Sequence, residues 1–446
     1  MTNLEKRLDK LGIRMPEVYL PADNGKMQDW AVVACDQYTS DTGYWEDVQK
    51  IVGDSPSTLN LIYPECYLGE DNPENRIKKI NETMESYLEK EILKRYAPAF
   101  YLVKRQNGKG GDYRWGLVAA LDLEKYDYSK DSKSLIRATE GTIEDRIPPR
   151  KRIRIDASLE LPHILVLIDD PDRTVIEPLA AKTSELQEIY NFELMKNGGH
   201  IEGYRIDDPE TVASIAAALE KLADIDAFKN KYGSTDLLLY AMGDGNHSLA
   251  TAKSVWEEIK ETNSSDPDLM NHPARWALVE LENIHDEGIV FEPIHRVIFN
   301  CSRERFFNEL KKYSSCRIRE KSSLQEVTAS LENQKPYQKI GYCDESVLGT
   351  IDIESPAATI TAGSIQRVID SILTEDKNAS VDYIHGEEET GKLGRQKGNI
   401  GIFLPAIDKH SFFQTIVKDK TFPRKTFSMG EANEKRYYIE CRKIVR

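Results

Sequence analysis

Cysteine is scarce and scattered: six residues in 446, with no Cys-x-x-Cys pair. That pattern excludes a disulfide-stapled scaffold and favours free thiols in a reducing compartment. Long hydrophobic runs are missing too, and none approaches the ~20 residues that cross a bilayer. The segment Met1 to Lys10 is charged and lacks the apolar stretch of a secretory signal, so a cytoplasmic protein is expected. Basic charge is in deficit, with 60 Lys and Arg against 75 Asp and Glu, a formal charge of −15. Such a chain repels nucleic-acid phosphates and anionic membrane surfaces, so neither is an expected partner. No helix-turn-helix with a basic recognition helix is visible. The eight histidines show no His-Glu-x-x-His spacing and no cluster with cysteine, which excludes a zinc hydrolase.

What is present suits a globular protein: 40% hydrophobic and 30% charged residues in a chain two to three times the usual domain length. Strand-like and helical patterns interleave throughout, so the expected class is α+β, with mixed sheets and interleaved helices. Three regions are expected: 1–130, 131–300 and 301–446. Helices are predicted over Asn3–Leu11, Glu74–Leu93, Pro209–Leu222 and Ser248–Ile259 from their apolar spacing. Strands are predicted at Trp30–Cys35, His163–Ile168, Leu237–Met242, Trp276–Leu281, Ile289–Ile298, Phe403–Pro405 and Tyr437–Ile444. Phe100–Val103 and Trp115–Leu121 bracket a glycine-rich tip and predict a hairpin. Asn197-Gly198-Gly199 predicts a turn after a helix, and Glu387–Lys397 reads as a polar loop.

The strongest local signal is an apolar strand, then Gly243-Asp244-Gly245-Asn246-His247-Ser248, then an amphipathic helix. Glycines let the chain turn tightly and let a ligand approach the backbone. A helix starting there aims free N–H groups and its positive dipole end into the turn, which suits phosphate. Asp244 is a candidate Mg²⁺ ligand or base, and Ser248 either caps the helix or touches a phosphate oxygen. A plain β–α turn needs only one polar residue, whereas this one gathers Asp, Asn, His and Ser. Two other stretches are candidates to converge on it. One is Ala138 to Arg146, followed by Arg150, Lys151, Arg152 and Arg154. On a strand, Arg152 and Arg154 would share one face for anion recognition, or simply be solvated. The other is Pro293-Ile294-His295-Arg296, where His295 is either a satisfied core histidine or a cleft residue. The basic stretch Pro423 to Thr426 reads as solvated surface.

With these residues in view, the turn resembles the Asp-Gly-His-His-Arg type signature of the ParB/sulfiredoxin-like superfamily. The chain also resembles the domain-of-unknown-function family 1015 through four ordered blocks: Arg137–Arg146, the Asp244 turn, Phe291–Ile298 and Pro423–Glu431. The resemblance implies a ParB/sulfiredoxin-like core and a link to free L-serine kinases. It implies a nucleotide, ATP or ADP, with Mg²⁺ at the turn, and a hydroxylated acceptor such as L-serine. Carried over, Asp244 serves metal and phosphoryl chemistry, His247 contacts phosphate, and Glu140 is the candidate base. Gly243, Gly245, Asn246, Ser248, Arg137, Arg146, His295 and Arg296 are the candidate nucleotide-binding residues. Asn246 stands where the signature has its first histidine, and Ser248 where it has arginine. Sulfiredoxin chemistry needs a cysteine at the position of Asn246 and is excluded. Two functions remain open: a small-molecule kinase acting on an alcohol group, and a nucleotide-binding regulatory protein with little turnover.

Overall fold

The computed structural model describes residues 2–107, 111–141, 144–332 and 334–446. The chain forms two compact units: Met1–Ile289 with Gly430–Arg446, and Val290–Met429. The first carries a mixed sheet and the second an antiparallel one, each with interleaved helices, the α+β class that the interleaved patterns predict.

The first unit is built on a large sheet. From one edge its strands run Gln187–Leu194, Gly199–Ile206, Phe100–Gln106, Tyr113–Asp122, Trp276–Asn283, Leu165–Ile168, Tyr240–Asp244, Ile136–Arg137 and Tyr126–Asp127. Ile13–Arg14 adds to Tyr113–Asp122. Every residue of the central strand Trp276–Asn283 is buried. Residue 130 is not a seam, because strands from both sides of it share this sheet: Tyr113–Asp122 pairs with Trp276–Asn283, and Phe100–Gln106 with Gly199–Ile206. The motif strand Tyr240–Asp244 lies antiparallel to Leu165–Ile168 and parallel to Ile136–Arg137. The helix Asn246–Thr262 follows and buries Leu249, Ala252, Val255 and Trp256, three of which, Leu249, Ala252 and Trp256, join the core cluster that includes the sheet residues Met242 and Leu281. The helical spacing of all four predicts such a buried face.

Residues 430–446 return to the first unit and are tied there by buried charges. Arg436 pairs with Glu280 of the central strand and, at 2.6 Å, with Glu440. Arg442 Nε lies 2.6 Å from Glu160. The run Trp30–Cys35, predicted as a strand, instead closes a short helix, Met27–Trp30, and continues as buried loop. Its backbone groups meet the returning segment, with Tyr438 N donating to the Val32 carbonyl and Ala34 N to that of Arg436. Likewise only Arg442–Lys443 of the predicted tail strand is a strand, beside isolated bridges at Tyr437 and Cys441. The turn at Asn197 joins two strands, not a helix and a strand. The preceding segment alternates apolar Ile189 or Tyr190, Phe192 and Leu194 with polar residues, a period that suits a sheet edge.

The second unit has a sheet ordered Cys316–Glu320, Leu348–Ile353, Gln338–Cys343, Ile400–Phe403, Phe291–Phe299, Ser380–His385, with Phe427–Met429 also pairing to Phe291–Phe299. Its core gathers Ile298, Phe306, Ile340, Ile351, Ile365, Ile369 and Ile402. The predicted loop at Glu387 is a helix, Glu387–Gly394. Three glutamates occupy its first turn, favoured by the helix dipole. The small residue Gly394 lets it pack closely, since a Cβ there would meet Gly401 at 2.6 Å.

All six cysteines are free thiols. Among the described residues no helix is long and apolar enough to cross a membrane. The tip of the Phe100–Asp122 hairpin, residues 108–110, and residues 142 and 143 of the Ala138–Arg146 block lie outside the described residues.

Candidate functional site

Gly245 makes the turn possible. It sits in the left-handed region at φ 81°, and a Cβ there would stand 3.1 Å from the Ile164 side chain. Only glycine meets both demands without strain. The helix that follows carries no side-chain cap. Ser248 therefore does not cap it, and neither does Asn246, whose amide is used elsewhere.

Asn246 Oδ1 accepts from Thr139 N at 3.1 Å, and its Nδ2 donates to Thr139 Oγ1 at 3.3 Å. Thr139 Oγ1 in turn donates to the Met242 carbonyl at 2.8 Å. These bonds fasten the Arg137–Glu140 stretch to the turn, the convergence that the two sequence blocks suggest. Glu140 follows Thr139 directly and is half-buried.

Asp244 ends the strand with its side chain 28% exposed and Oδ2 3.1 Å from Lys435 Nζ. Its Oδ1 accepts from Gly245 N at 2.8 Å. Burial pushes its carboxyl up, but the Lys435 charge and hydrogen bond, the Gly245 amide and nearby His163 outweigh burial and leave it below the usual value. Asp244 is thus a carboxylate at neutral pH.

Ser248 belongs to a hydrogen-bonded series of distant residues. Its Oγ lies 2.6 Å from His163 Nε2, and His163 Nδ1 lies 3.0 Å from the Tyr438 hydroxyl. Tyr438 accepts from Cys35 N at 3.0 Å, and burial holds its hydroxyl protonated. Tyr438, His163 and Ser248 thus form one hydrogen-bonded series whose donor and acceptor roles follow the imidazole's tautomer. A cavity of about 140 Å³ opens on Ser248, His163 and Thr251, with Leu61, Met84 and Ile153 on its apolar side.

The basic run after Arg146 is not an open anion site. It forms a helix, Ile147–Arg154, with prolines in its first turn, where a missing N–H does no harm. Each of its basic residues meets a carboxylate: Arg150 with Glu65 at 2.5 Å, Lys151 with Glu258, Arg152 with Glu74, and Arg154 with Glu160. The strand face expected for Arg152 and Arg154 does not exist.

Arg137 turns away from the turn. Its Nε donates to the Ser134 carbonyl at 2.8 Å, and a terminal nitrogen donates to that of Asp236 at 2.6 Å, ahead of the motif strand. Arg146 is half-buried at the start of the basic helix. His247 is half-buried on the first turn of the motif helix, and Gly243 is buried within the strand. His295 and Arg296 belong to the second unit. His295 Nδ1 accepts from Leu404 N at 3.1 Å, and burial pushes the imidazole down to about 4. Arg296 is buried with its guanidinium over the Tyr383 ring.

Lys435, His163, Tyr438 and Thr139 complete the site; sequence reasoning missed the first three and held Thr139 only as part of the Ala138–Arg146 stretch. His163 carried a usable signal, since it heads the run His163–Ile168, whose strand forms at Leu165–Ile168 beside the motif strand. Lys435 and Tyr438 carried none, because nothing local shows that residues 430–446 return to the first unit. Among the described residues no group of three or more His, Cys, Asp or Glu gathers to hold a metal. A single carboxylate such as Asp244 serves Mg²⁺ only where water and phosphate supply the other ligands.

Fold and turn together define an α+β protein with a polar strand–turn–helix site. Residues 18–372 match the family described as "Protein of unknown function (DUF1015)", and the chain belongs to that family. No curated protein matches. Similar solved structures include a free serine kinase in complex with AMP, at 10% identity over 76% of this chain and 94% of that chain, TM-score 0.36. A conserved hypothetical protein from Pyrococcus furiosus is 11% identical over 72% and 90%, TM-score 0.33. SbnI with a C-terminal truncation, from Staphylococcus aureus, is 10% identical over 70% and 81%, TM-score 0.35.

Proposed function

We propose that the protein is a small-molecule kinase that binds ATP or ADP at the Asp244 turn and transfers a phosphoryl group to a hydroxyl, with free L-serine as the first acceptor to test. The observation that carries this reading is the uncapped helix opening at Asn246, flanked by a carboxylate on one side and the Ser248 hydroxyl on the other. Phosphoryl transfer needs positioning and charge neutralisation more than covalent chemistry from the protein. The helix N-terminus and Ser248 would receive phosphate oxygens, with Ser248 replacing a hydrogen-bond donor that the signature arginine supplies. Lys435 adds positive charge beside Asp244. Asp244 would hold Mg²⁺, which neutralises phosphate charge when bound. Glu140, set beside the turn by the Thr139–Asn246 bonds, would take the acceptor hydroxyl's proton.

A nucleotide-binding regulator is the second reading, favoured by the engagement of Asp244 with Lys435. Calorimetric titration with ATP, ADP and CTP, followed by transfer assays on a panel of hydroxy amino acids, separates the two. Nucleotide binding without product in every pairing would favour the regulator. In the kinase, Asp244→Asn abolishes transfer while leaving the fold intact; full activity in that variant would remove Asp244 from the mechanism.

A further inference from the structure

A second cavity in the first unit, about 460 Å³, holds an unusual charge arrangement around Trp276. Three arginines meet there. Arg275 lies 5.2 Å from the indole ring centre and is neutralised by Asp122, with contacts of 2.9 and 2.6 Å. Arg442 is neutralised by Glu160 at 2.6 Å and donates to the Pro273 and Trp276 carbonyls. The guanidinium carbon of Arg14 lies 4.1 Å from the same ring centre. Among the described residues it meets no carboxylate and no hydrogen-bond acceptor.

The cavity's own acids do not serve Arg14. Glu17 pairs with Arg95, and Glu5 accepts from the Thr2 backbone at 2.6 Å. Asp9 lies 3.9 Å from Arg275. Burial and the like charges of Arg442 and Arg275 push Arg14 down to about 9, with Asp122 and Asp9 opposing. Arg14 therefore remains a cation at neutral pH, with its donor fork unused. Guanidinium forks match the paired oxygens of a carboxylate or a phosphate, and a fork held against an aromatic ring loses little further freedom on binding one. The walls beside it include Leu8, Met15, Pro98 and Val445, which offer an apolar surface for the body of a small molecule.

We infer that this cavity is a binding site for a small organic oxyanion, a carboxylate or a phosphate monoester, gripped by Arg14 over Trp276 with its apolar body against the cavity wall. The inference does not depend on the kinase reading, because none of its residues belongs to the Asp244 turn.

The test is calorimetric titration of the full chain with phenylacetate, phenyl phosphate and neutral benzyl alcohol. At least one anion binds the wild type below about 10 mM and more tightly than benzyl alcohol. Arg14→Gln weakens that anion at least about tenfold, the loss expected when a charged hydrogen-bonding partner is removed. Arg14→Lys, which keeps the charge but not the fork, loses less and serves if the glutamine variant fails to fold. Ser248→Ala leaves the affinity unchanged. The inference is overturned if neither anion binds, if benzyl alcohol binds equally well, if both Arg14 variants bind as the wild type does, or if only Ser248→Ala weakens binding.

Discussion

Replacing Lys435 with methionine tests the electrostatics of the turn without needing an activity. The side chain is 8% exposed, and its ammonium lies 3.1 Å from a carboxylate that is itself 28% exposed. At an effective dielectric of about 20, unit charges at that distance attract by about 5 kcal/mol. Desolvation of the lysine offsets more than half of this, leaving about 2 kcal/mol as the expected cost of the substitution at pH 7. The sign of the pH dependence follows from Asp244, whose folded value is below the ordinary 3.8. A lowered carboxyl adds stability that is fully present above the unfolded value and is lost as pH falls through the folded one. Without Lys435, burial dominates and the Asp244 carboxyl rises. The gap between wild type and variant should begin to close where the variant's Asp244 protonates, and vanish below the wild type's lowered value. Urea unfolding of both proteins from pH 7 down to about pH 3 measures this, and carboxyls common to both cancel in the difference. A gap that stays constant with pH would mean the loss is packing rather than charge, and no gap at pH 7 would refute the pairing.

Three further outcomes are expected. Gly245→Ala forces a side chain into a left-handed conformation 3.1 Å from Ile164, so thermal unfolding should show a loss of about 1–3 kcal/mol. Ser248→Ala removes one donor to the ligand and should weaken nucleotide binding about tenfold with little change in stability, read by titration and a melt. Glu140→Gln should depress transfer more than nucleotide affinity; equal losses in kcat and affinity would make Glu140 a binding or structural residue.

The strand–turn–helix unit was legible because its elements are local. Leu237–Met242 is an apolar run that overlaps the strand Tyr240–Asp244, and Leu249, Ala252, Val255 and Trp256 repeat at helical spacing, so local pattern marks both elements. The charge pairing of the site was not legible. Arg150, Lys151, Arg152 and Arg154 look like a free positive patch in sequence, yet their partners stand at Glu65, Glu258, Glu74 and Glu160. Such partners are set by tertiary contacts that no local pattern encodes. The same limit explains Trp30–Cys35: hydrophobicity predicted its burial, but not that backbone bonds to residues 436 and 438 would take the place of a ladder. At Glu387 the polar composition suggested a loop, and the structure instead spends those glutamates on a helix N-terminus.

The returning segment links the site to the core. Within four residues it sends Lys435 to Asp244, Arg436 to buried Glu280 and Tyr438 to His163. Arg436 cannot leave without stranding Glu280 and Glu440, whose side chains are about 1% exposed or less. Removing one partner of a buried pair costs about 3–5 kcal/mol. That penalty fixes the register of the segment, and the register fixes where the neighbouring lysine and tyrosine point. The hydrogen-bonded series from Tyr438 through His163 to Ser248 is therefore positioned by a charge in the sheet interior as much as by the turn.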